Sequence, residues 1–486
     1  MLADDILYKP VTELSRLVRS RKISPVELTR AYLARIEALN PRLSAFVTVT
    51  GDLALAEAKQ AEKEIAAGRD RGPLHGIPYG VKDLVATKGI RTTWGAKPYE
   101  HQMFDQDGAV VTKLRAAGAI LLGKLAMIEL AGGLGYSKGD SSLTGGAHNP
   151  WSLDRWTCGS SSGSGAAVAA GLVPFAIGSE TWGSIICPSS FCGISGLRPT
   201  FGRVSRRGAM ALSWTLDKLG PMARSARDCE IVLDRIQGHD PDDPYSSEEK
   251  PAPPSDPAGV KRLKVGWFKL DFDKFGDKSV EKAFLGALDD LRRSGIRIEE
   301  AKLPELPFES TTVVVLSAEV ATAFEELERS GDARKMVSPG APLSFVTARA
   351  VRGADYVKAQ RVRTVCQEKM AEFFSRYDVL LYPGEGHTAF PLDKDFSDIA
   401  WADPVGAAGN LCGLPAISVP CGFGDGGLPA SLTALTSSFE EDKGIAIARH
   451  FQQLTSWHLK RPPLDRLAGM RAAGARAAGA PPPAGS

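Results

Sequence analysis

Two short segments rich in glycine and serine are the most informative part of the sequence. Residues 158–164 read Cys-Gly-Ser-Ser-Ser-Gly-Ser and precede an alanine-rich stretch that favours a helix, while Ser184 stands in a second glycine-containing turn, 24 positions after Ser160. Glycine tolerates positive φ, and serine leaves room for close approach, so backbone N–H groups in such segments can point at an anion. A helix start adds unpaired N–H groups and a favourable dipole. The pattern therefore indicates a serine nucleophile beside an oxyanion-binding loop.

A lysine is the best candidate for the base that activates this serine. Lys82 lies in the segment Gly-Ile-Pro-Tyr-Gly-Val-Lys-Asp, residues 76–83, where glycines and a proline frame a short apolar stretch. That context is typical of a strand residue that points into a cavity, and burial lowers the pKa of a lysine towards working pH. On its own, such a lysine is more often the ion-pair partner of Asp83 or of another acid.

Three alternative roles for the serine-rich segment are weaker. A flexible linker is disfavoured because core-like apolar residues flank the segment, and a phosphate loop is excluded because no lysine follows between residues 160 and 202. Residues 159–163 match the G-x-S-x-G elbow of α/β-hydrolases, which would make Ser161 the nucleophile. That elbow must follow a strand, whereas residues 149–156 are predicted to form a polar, proline-broken turn. None of the downstream histidines has a recognisable Asp/His setting (His239, His387, His450 and His458).

Several motifs in the same order resemble the amidase signature family. The family's Gly-Gly-Ser-Ser-Gly-Gly-Ser loop aligns with residues 158–164, its Gly-Thr/Ser-Asp-x-Gly-Gly-Ser-Ile-Arg loop with residues 178–186, and its Gly-Val-Lys-Asp motif with residues 80–83. Further matches fall at residues 12–14, 24–29, 32–36, 72–78, 377–381 and 410–420. The resemblance implies an α/β fold: a single large amidase-signature domain with a mixed central β-sheet covered by helices on both faces.

The resemblance also implies a mechanism without histidine. Ser184 is expected to be the acylated nucleophile, Ser160 to connect it to Lys82 after a cis peptide bond, and Lys82 to be the base. The implied activity is hydrolysis of a carboxylic amide through a serine acyl-enzyme. The backbone N–H groups expected to form the oxyanion hole belong to Thr181, Trp182, Gly183 and Ser184.

Three departures from the family pattern concern specificity. Trp182 replaces a glycine, Glu180 replaces an aspartate, and Ile186 stands where an arginine is usual. Without that arginine, Glu180 must find backbone or serine donors or be partly solvated. Trp182 and Ile186 are predicted to contact substrate and to favour an apolar or aromatic acyl group.

Composition is that of an ordinary soluble enzyme. The chain has 486 residues with 43% apolar content, and its 59 basic and 57 acidic residues leave a net charge of +2, which favours neither nucleic acid nor a membrane surface as a partner. Seven cysteines are scattered without metal-ligand spacing, and their odd number suits buried thiols in a reducing compartment. We expect Cys187 and Cys192 to be small core residues. No metal, cofactor or signal peptide is predicted, and the expected location is the cytoplasm.

The chain is predicted to form one amidase domain over residues 1–470. Its parts are N-terminal helices (1–60), a catalytic signature core (61–235), a surface loop (236–262) and the rest of the same domain (263–470), followed by a disordered tail (471–486). The expected partner is a small-molecule amide, and a homodimer stays open. The leading function is a stand-alone amide hydrolase. The alternative is the glutaminase subunit of a tRNA-dependent amidotransferase, which shares the family's catalytic loops.

Overall fold

The structure, a computed structural model, describes residues 2–133, 137–337 and 341–464. The tail at residues 471–486, for which disorder is predicted, lies outside the described residues. None of the described helices combines the length and the apolar character needed to cross a bilayer.

The described part of the chain is built around one mixed sheet of eleven strands. The strands in chain order are β1 Phe46–Val49, β2 Pro78–Lys82, β3 Ile120–Leu125, β4 His148–Asn149, β5 Ser152–Trp156, β6 Phe175–Glu180, β7 Ser195–Arg198, β8 Lys218–Ala223, β9 Val265–Trp267, β10 Ile298–Glu300, β11 Val379–Pro383, β12 Ala416–Phe423 and β13 Pro429–Thr436. Their order in the sheet is β1-β3-β2-β6-β8-β7-β12-β13-β11-β9-β10, and β4 pairs with β5 apart from it.

Sixteen α-helices flank the sheet in the described residues. They are α1 Asp4–Leu7, α2 Val11–Arg19, α3 Pro25–Leu43, α4 Gly51–Ala66, α5 Ala109–Ala116, α6 Ser162–Ala169, α7 Ile186–Cys192, α8 Ala226–Ile236, α9 Phe272–Phe275, α10 Lys278–Arg293, α11 Phe308–Ala323, α12 Glu325–Ser330, α13 Ala341–Ala348, α14 Gly353–Phe374, α15 Pro404–Cys412 and α16 Glu441–Leu454.

Helices cover both faces of the sheet. On one face, the Ser431 hydroxyl of β13 donates to Ser190 Oγ of α7 at 2.7 Å. On the other face, Gly444 of α16 packs against the side chains of Thr436 in β13 and Ile417 in β12. Residues 431 and 436 point to opposite sides of the strand because side chains alternate along it. The predicted α/β fold with a mixed, doubly covered sheet is confirmed.

The parallel pairing of β2 with β6 positions the site. Gly80 pairs with Ala176 and Val81 with Ile177, so the two strands end at the same edge of the sheet. The apolar run at residues 172–177 predicts a buried strand, and the structure places that strand slightly later, at Phe175–Glu180. Such a shift is expected where the residues after a short apolar run are polar but buried, because their polarity hides that they belong to the strand.

The region predicted as a turn at residues 149–156 instead contains β5, which pairs with β4. This prediction was wrong because tertiary contacts stabilise the short hairpin. The Asn149 amide donates to the carbonyls of Trp156 and Phe191, at 3.1 and 2.9 Å, and the fully buried Trp156 ring packs edge-on against Phe191. None of these contacts is visible in local sequence.

Candidate active site

The structure brings Lys82, Ser160 and Ser184 together at the end of β2 and β6. Lys82 Nζ donates a hydrogen bond to Ser160 Oγ at 2.7 Å, and Ser160 Oγ lies 3.0 Å from Ser184 Oγ. The peptide bond between Gly159 and Ser160 is cis. All three side chains are buried. The three residues therefore form one continuous hydrogen-bonded row.

Close backbone packing sets the position of the Ser160 segment. A Cβ at Gly163 would lie 2.4 Å from the Ala45 carbonyl oxygen and 2.5 Å from the Ala126 nitrogen, so only glycine fits there. Gly163 also donates its N–H to the Ala126 carbonyl at 2.8 Å. The start of α6 is thus pressed against the end of β3, beside Lys82.

Lys82 is not an ion-pair partner of its neighbour Asp83. Asp83 instead accepts the N–H of Thr93 at 2.9 Å and faces the Lys124 ammonium at 3.5 Å. Lys82 has a second hydroxyl acceptor, Ser179 Oγ at 2.9 Å, and no carboxylate in the described residues pairs with it. Burial lowers the pKa of Lys82 well below its ordinary value, although the negative charges of Asp217 and Glu180 oppose this shift. The amine is therefore suited to accept a proton.

The turn at residues 181–184 presents free donors next to Ser184. Among the described residues, none accepts a hydrogen bond from the N–H groups of Thr181, Trp182, Gly183 or Ser184. Gly183 has a φ of +82° and open space where a Cβ would stand, which explains the glycine. The φ angle of Trp182 is not positive, so a tryptophan at this position, where the family pattern has a glycine, causes no backbone strain.

Glu180 stabilises this turn through backbone hydrogen bonds and forms an ion pair with an arginine of another strand. Its Oε2 accepts the N–H groups of Ile185 and Ile186 at 2.8 and 3.0 Å, as expected for backbone donors. Its Oε1 accepts Arg198 Nη1 at 2.7 Å and the Asn410 amide at 3.0 Å. Burial alone would raise the pKa of Glu180, but the Arg198 guanidinium holds it at about 2.

Arg198 and Asn410 belong to the candidate site through Glu180, and the sequence alone did not single them out. Two features of the sequence could have pointed to them. Asn410 is the first residue of the matched motif at residues 410–420, and Arg198 lies between Gly196 and Gly202, close after the second serine segment. Their role depends on strand order, because β7 and α15 reach Glu180 only across the folded sheet.

Asp217 and Lys218 hold the first residue of the turn. The Thr181 hydroxyl donates to Asp217 Oδ1 at 2.5 Å, and Lys218 Nζ lies 3.4 Å from the Thr181 carbonyl oxygen. Lys218 also donates to the carbonyl of Leu216. Burial lowers the pKa of Lys218 and raises that of Asp217. These buried groups fix the orientation of the Thr181 backbone, and sequence alone did not single them out.

Ser184 opens into a cavity of about 950 Å³ that is mainly apolar. Trp182 forms part of its wall and is anchored by its indole N–H, which donates to Asp403 Oδ2 at 2.9 Å. Burial raises the pKa of Asp403 to about 7, against the effect of the Trp182 hydrogen bond. The other apolar lining residues include Leu212, Val313, Leu316, Phe396 and Trp401.

Ile186, which sequence analysis predicted to contact substrate, does not line this cavity. It is the first residue of α7 and is only 4% exposed. Its side chain belongs to an apolar cluster with Leu411 and Ala408, and the half-buried Trp182 packs against that cluster. Ile186 is therefore placed behind Trp182 rather than in the site.

The Ser161 hydroxyl connects two structural elements. Its hydroxyl donates to the Ser179 carbonyl at 3.1 Å and accepts the Ser179 N–H at 3.2 Å, which ties α6 to β6. His387 does pair with an acid, Asp277, at 3.0 Å, contrary to the expectation from sequence. That pair makes no hydrogen bond to Ser161, and the arrangement required of an α/β-hydrolase elbow is not formed.

Two of the seven cysteines form a disulfide, which corrects the expectation of seven thiols. Cys158 and Cys187 are bonded, with their Cα atoms 5.7 Å apart, and both line the cavity. They are 29 residues apart in sequence, and only the approach of the two serine segments brings them together. The remaining five are buried free thiols: Cys192, Cys229, Cys366, Cys412 and Cys421.

Comparisons with known proteins agree with this architecture. The family model described as Amidase matches residues 27–443. The A subunit of glutamyl-tRNA(Gln) amidotransferase from Roseiflexus sp. (strain RS-1) is 37% identical over 474 residues, which cover 91% of this chain and 96% of the relative. The corresponding protein of Carboxydothermus hydrogenoformans is 37% identical over 489 residues, covering 95% and 100%.

Among solved structures, the native peptide amidase from Stenotrophomonas maltophilia is similar, with a TM-score of 0.84. The two proteins are 31% identical, and the match covers 94% of this chain and 98% of that one. The A subunit of glutamyl-tRNA(Gln) amidotransferase from Thermotoga maritima matches with a TM-score of 0.77 at 29% identity, covering 94% and 97%. With its fold, its serine loops and these relatives in agreement, the chain belongs to the amidase signature family of amide-bond hydrolases.

Proposed function

We propose that this protein is a stand-alone amide hydrolase in which Ser184 is the nucleophile and Lys82 acts on it through Ser160. The row of hydrogen bonds from Lys82 Nζ through Ser160 Oγ to Ser184 Oγ, at 2.7 and 3.0 Å, is the observation that carries the proposal. It links the three groups that the chemistry requires: a buried amine, a relay hydroxyl and a hydroxyl that opens into the cavity.

In the first step, neutral Lys82 takes the proton of Ser160 while Ser160 takes that of Ser184. Ser184 Oγ then forms a bond to the amide carbon, and the electron pair of the carbonyl moves to its oxygen. In this proposal, the free N–H groups of residues 181–184 bind that oxyanion. Loss of one such donor typically costs about 2.7–4 kcal/mol of transition-state stabilisation.

The return of the protons releases the products. Protonated Lys82 gives its proton back through Ser160 to the leaving amine, the C–N bond breaks, and the acyl group stays on Ser184. Water then attacks the ester while the same relay accepts its proton; the bond from the acyl carbon to Ser184 Oγ breaks, the relay returns the proton to Ser184, and the carboxylic acid leaves. The cycle needs neither metal nor cofactor in this proposal.

The cavity favours an amide with an apolar or aromatic acyl group. Trp182 fills space beside the proposed oxyanion donors and presents an aromatic ring to the cavity. Apolar side chains such as Val313, Leu316 and Trp401 continue this surface outward. A large, mainly apolar cavity that also carries polar groups, here including Glu309 and Asp403, is typical of a site for a small organic ligand.

A second candidate is the glutaminase subunit of a tRNA-dependent amidotransferase. It is favoured by one observation, that curated relatives of 36–37% identity are named as the A subunit of such an enzyme and match along nearly their whole length. That function requires partner subunits, whereas the main proposal is complete with one chain or a homodimer. Size measurement of the active species therefore helps to separate the two.

A hydrolysis screen combined with active-site labelling tests the proposal. Purified protein is offered apolar, aryl and aliphatic amides, a peptide C-terminal amide and glutamine, with Ser184→Ala as the inactive control. A fluorophosphonate reagent should label Ser184, and Ser161→Ala should label like the wild type. An adduct mapped to Ser161, or turnover by folded Ser184→Ala, contradicts the assignment. Efficient turnover of glutamine alone would favour the second candidate.

A further inference from the structure

Three buried side chains with metal-ligating atoms meet at the wall of the Ser184 cavity. Cys158 Sγ, Cys187 Sγ and a carboxylate oxygen of Glu385 all lie within 4.8 Å of one another. Both cysteines line the cavity and are joined as a disulfide in this structure. Glu385 reaches them from the segment that follows β11. The proposed hydrolytic mechanism uses none of the three.

Glu385 is the member of this cluster whose burial is not explained by contacts elsewhere in the described structure. Its side chain is only 8% exposed, and no hydrogen bond or ion pair joins it to another described residue. A buried carboxyl group usually has a partner, since burial without one costs free energy. Here the carboxyl group lies beside two sulfur atoms, which are poor partners for it while they remain bonded to each other.

We propose that reduction of the Cys158–Cys187 disulfide turns this cluster into a site for a soft divalent metal ion, best suited to Zn²⁺, and that the bound ion inhibits the enzyme. Two thiolates and one carboxylate form a three-ligand set of the kind that zinc accepts, with a fourth position left for water. That fourth position faces the cavity because both cysteines line it. The inhibitory effect rests on the proposed function, whereas the metal site does not.

The chemistry balances with one named co-reactant. A dithiol reductant supplies two electrons, the S–S bond breaks, two S–H groups form, and the reductant becomes a disulfide. Zn²⁺ then displaces the two thiol protons, and also the Glu385 proton where that carboxyl group is protonated. No further oxidant or reductant is needed.

The position of the cluster explains why the ion would affect catalysis. Cys158 precedes Ser160 by two residues, and Cys187 follows Ser184 by three. The Cys187 N–H also donates to the Gly183 carbonyl at 2.8 Å, so the cysteine is tied directly to the turn with the free N–H groups. A metal ion held by both cysteines would occupy substrate space beside both serine segments.

Cobalt binding to oxidised and reduced protein tests the site without relying on activity. The full chain is prepared in both forms, and the dithiol is removed under anaerobic conditions. We expect one Co²⁺ per reduced chain with a thiolate-to-cobalt charge-transfer absorption, which Zn²⁺ abolishes, and no such absorption in the oxidised form. Alkylation of denatured protein should find five thiols before reduction and seven after it.

Variants identify the ligands. Glu385→Gln should weaken zinc binding to the reduced chain by about 10–100-fold or more, as for loss of groups that support a zinc site. The double variant Cys158→Ser/Cys187→Ser should lose the cobalt absorption, whereas Cys421→Ser, which removes a buried thiol elsewhere, should keep it. In the amide assay, Zn²⁺ should inhibit only the reduced wild type.

Several results would overturn the proposal. These are seven thiols before reduction, cobalt bound without the charge-transfer absorption, unchanged affinity in Glu385→Gln, or equal zinc inhibition of both redox forms. Absence of amide hydrolysis together with normal cobalt spectra would instead overturn the proposed function and leave the metal site standing.

Discussion

Replacing Arg198 with methionine should destabilise the fold and also disable the turn that carries Ser184. Arg198 Nη1 donates to Glu180 Oε1 at 2.7 Å, and both side chains are at most 1% exposed. The other oxygen of Glu180 accepts the N–H groups of residues 185 and 186, directly after Ser184. Methionine keeps an unbranched stem but lacks the guanidinium, so it leaves the buried carboxylate without its cationic partner.

The size of the effect follows from the pKa of Glu180. The value of about 2 lies well below the ordinary 4.5, and each unit corresponds to 1.36 kcal/mol, so ionised Glu180 contributes about 3 kcal/mol at neutral pH. Removing one partner of a buried ion pair typically costs about 3–5 kcal/mol. We expect Arg198→Met to lower the free energy of unfolding by that amount.

The pH dependence has a definite sign. Because folding depresses the pKa of Glu180, its contribution is present above pH 4.5 and is lost as pH falls towards about 2. Arg198→Met raises the pKa of Glu180 in the folded state. The variant should therefore lose less stability than the wild type when the pH is lowered from 5 to about 3.

Denaturant unfolding and amide turnover are measured on the same preparations, at a temperature where the variant stays folded. Arg203→Met is the matched control, because Arg203 forms another buried pair, with Glu441 at 3.0 Å, away from the serines. Both variants should be destabilised, but only Arg198→Met should lose turnover per folded molecule. The double variant Glu180→Gln/Arg198→Met should regain part of the stability. A loss below about 1 kcal/mol, or turnover no lower than that of Arg203→Met, would refute this reasoning.

Four further predictions concern the candidate active site. Lys82→Ala should stay folded and lose about 10²–10⁴-fold in kcat, the usual contribution of proton transfer, and near-full activity would exclude Lys82 as the base. In the wild type, kcat/KM should rise with pH and level off well below pH 10.5, because burial lowers the pKa of Lys82. Ser179→Ala should move that midpoint to lower pH, because protonated Lys82 loses a hydroxyl acceptor; an unchanged or higher midpoint counts against the contact. Trp182→Gly should accept bulkier acyl groups and keep measurable turnover, since the proposed donor is a backbone N–H; a narrower acyl range in the amide screen would contradict this.

Much of the fold and the central residues of the site were predictable because their signals are local. Ser24 followed by Pro25 and Glu27 predicts a helix start, and the structure shows the capping box: the Ser24 hydroxyl accepts the N–H groups of residues 26 and 27, and Glu27 accepts the Ser24 N–H. The glycines around Ser160 and Ser184 likewise mark backbone conformations and close approaches that few other residues permit. Motifs that constrain the backbone in this way can be recognised without knowledge of the rest of the fold.

The groups that surround these residues depend on contacts between distant segments. Arg198 reaches Glu180 only because β6, β8 and β7 are neighbours in the sheet, and no periodicity in the sequence specifies that order. The same limit applies to the disulfide, whose cysteines carry no spacing signature, and to Glu385, which comes from the segment after β11, about 200 residues further along the chain.

Ile186 shows how a correct observation led to an incorrect placement. The absence of an arginine at this position predicts a change in the substrate site, yet the structure supplies the arginine of Glu180 from β7 and buries Ile186 in the apolar cluster against which Trp182 packs. The negative charge of Glu180 is thus balanced by Arg198, and no arginine is needed at position 186. That leaves Trp182, with its indole fixed to Asp403, as the residue of the turn that can alter the shape of the cavity without altering the support of Ser184.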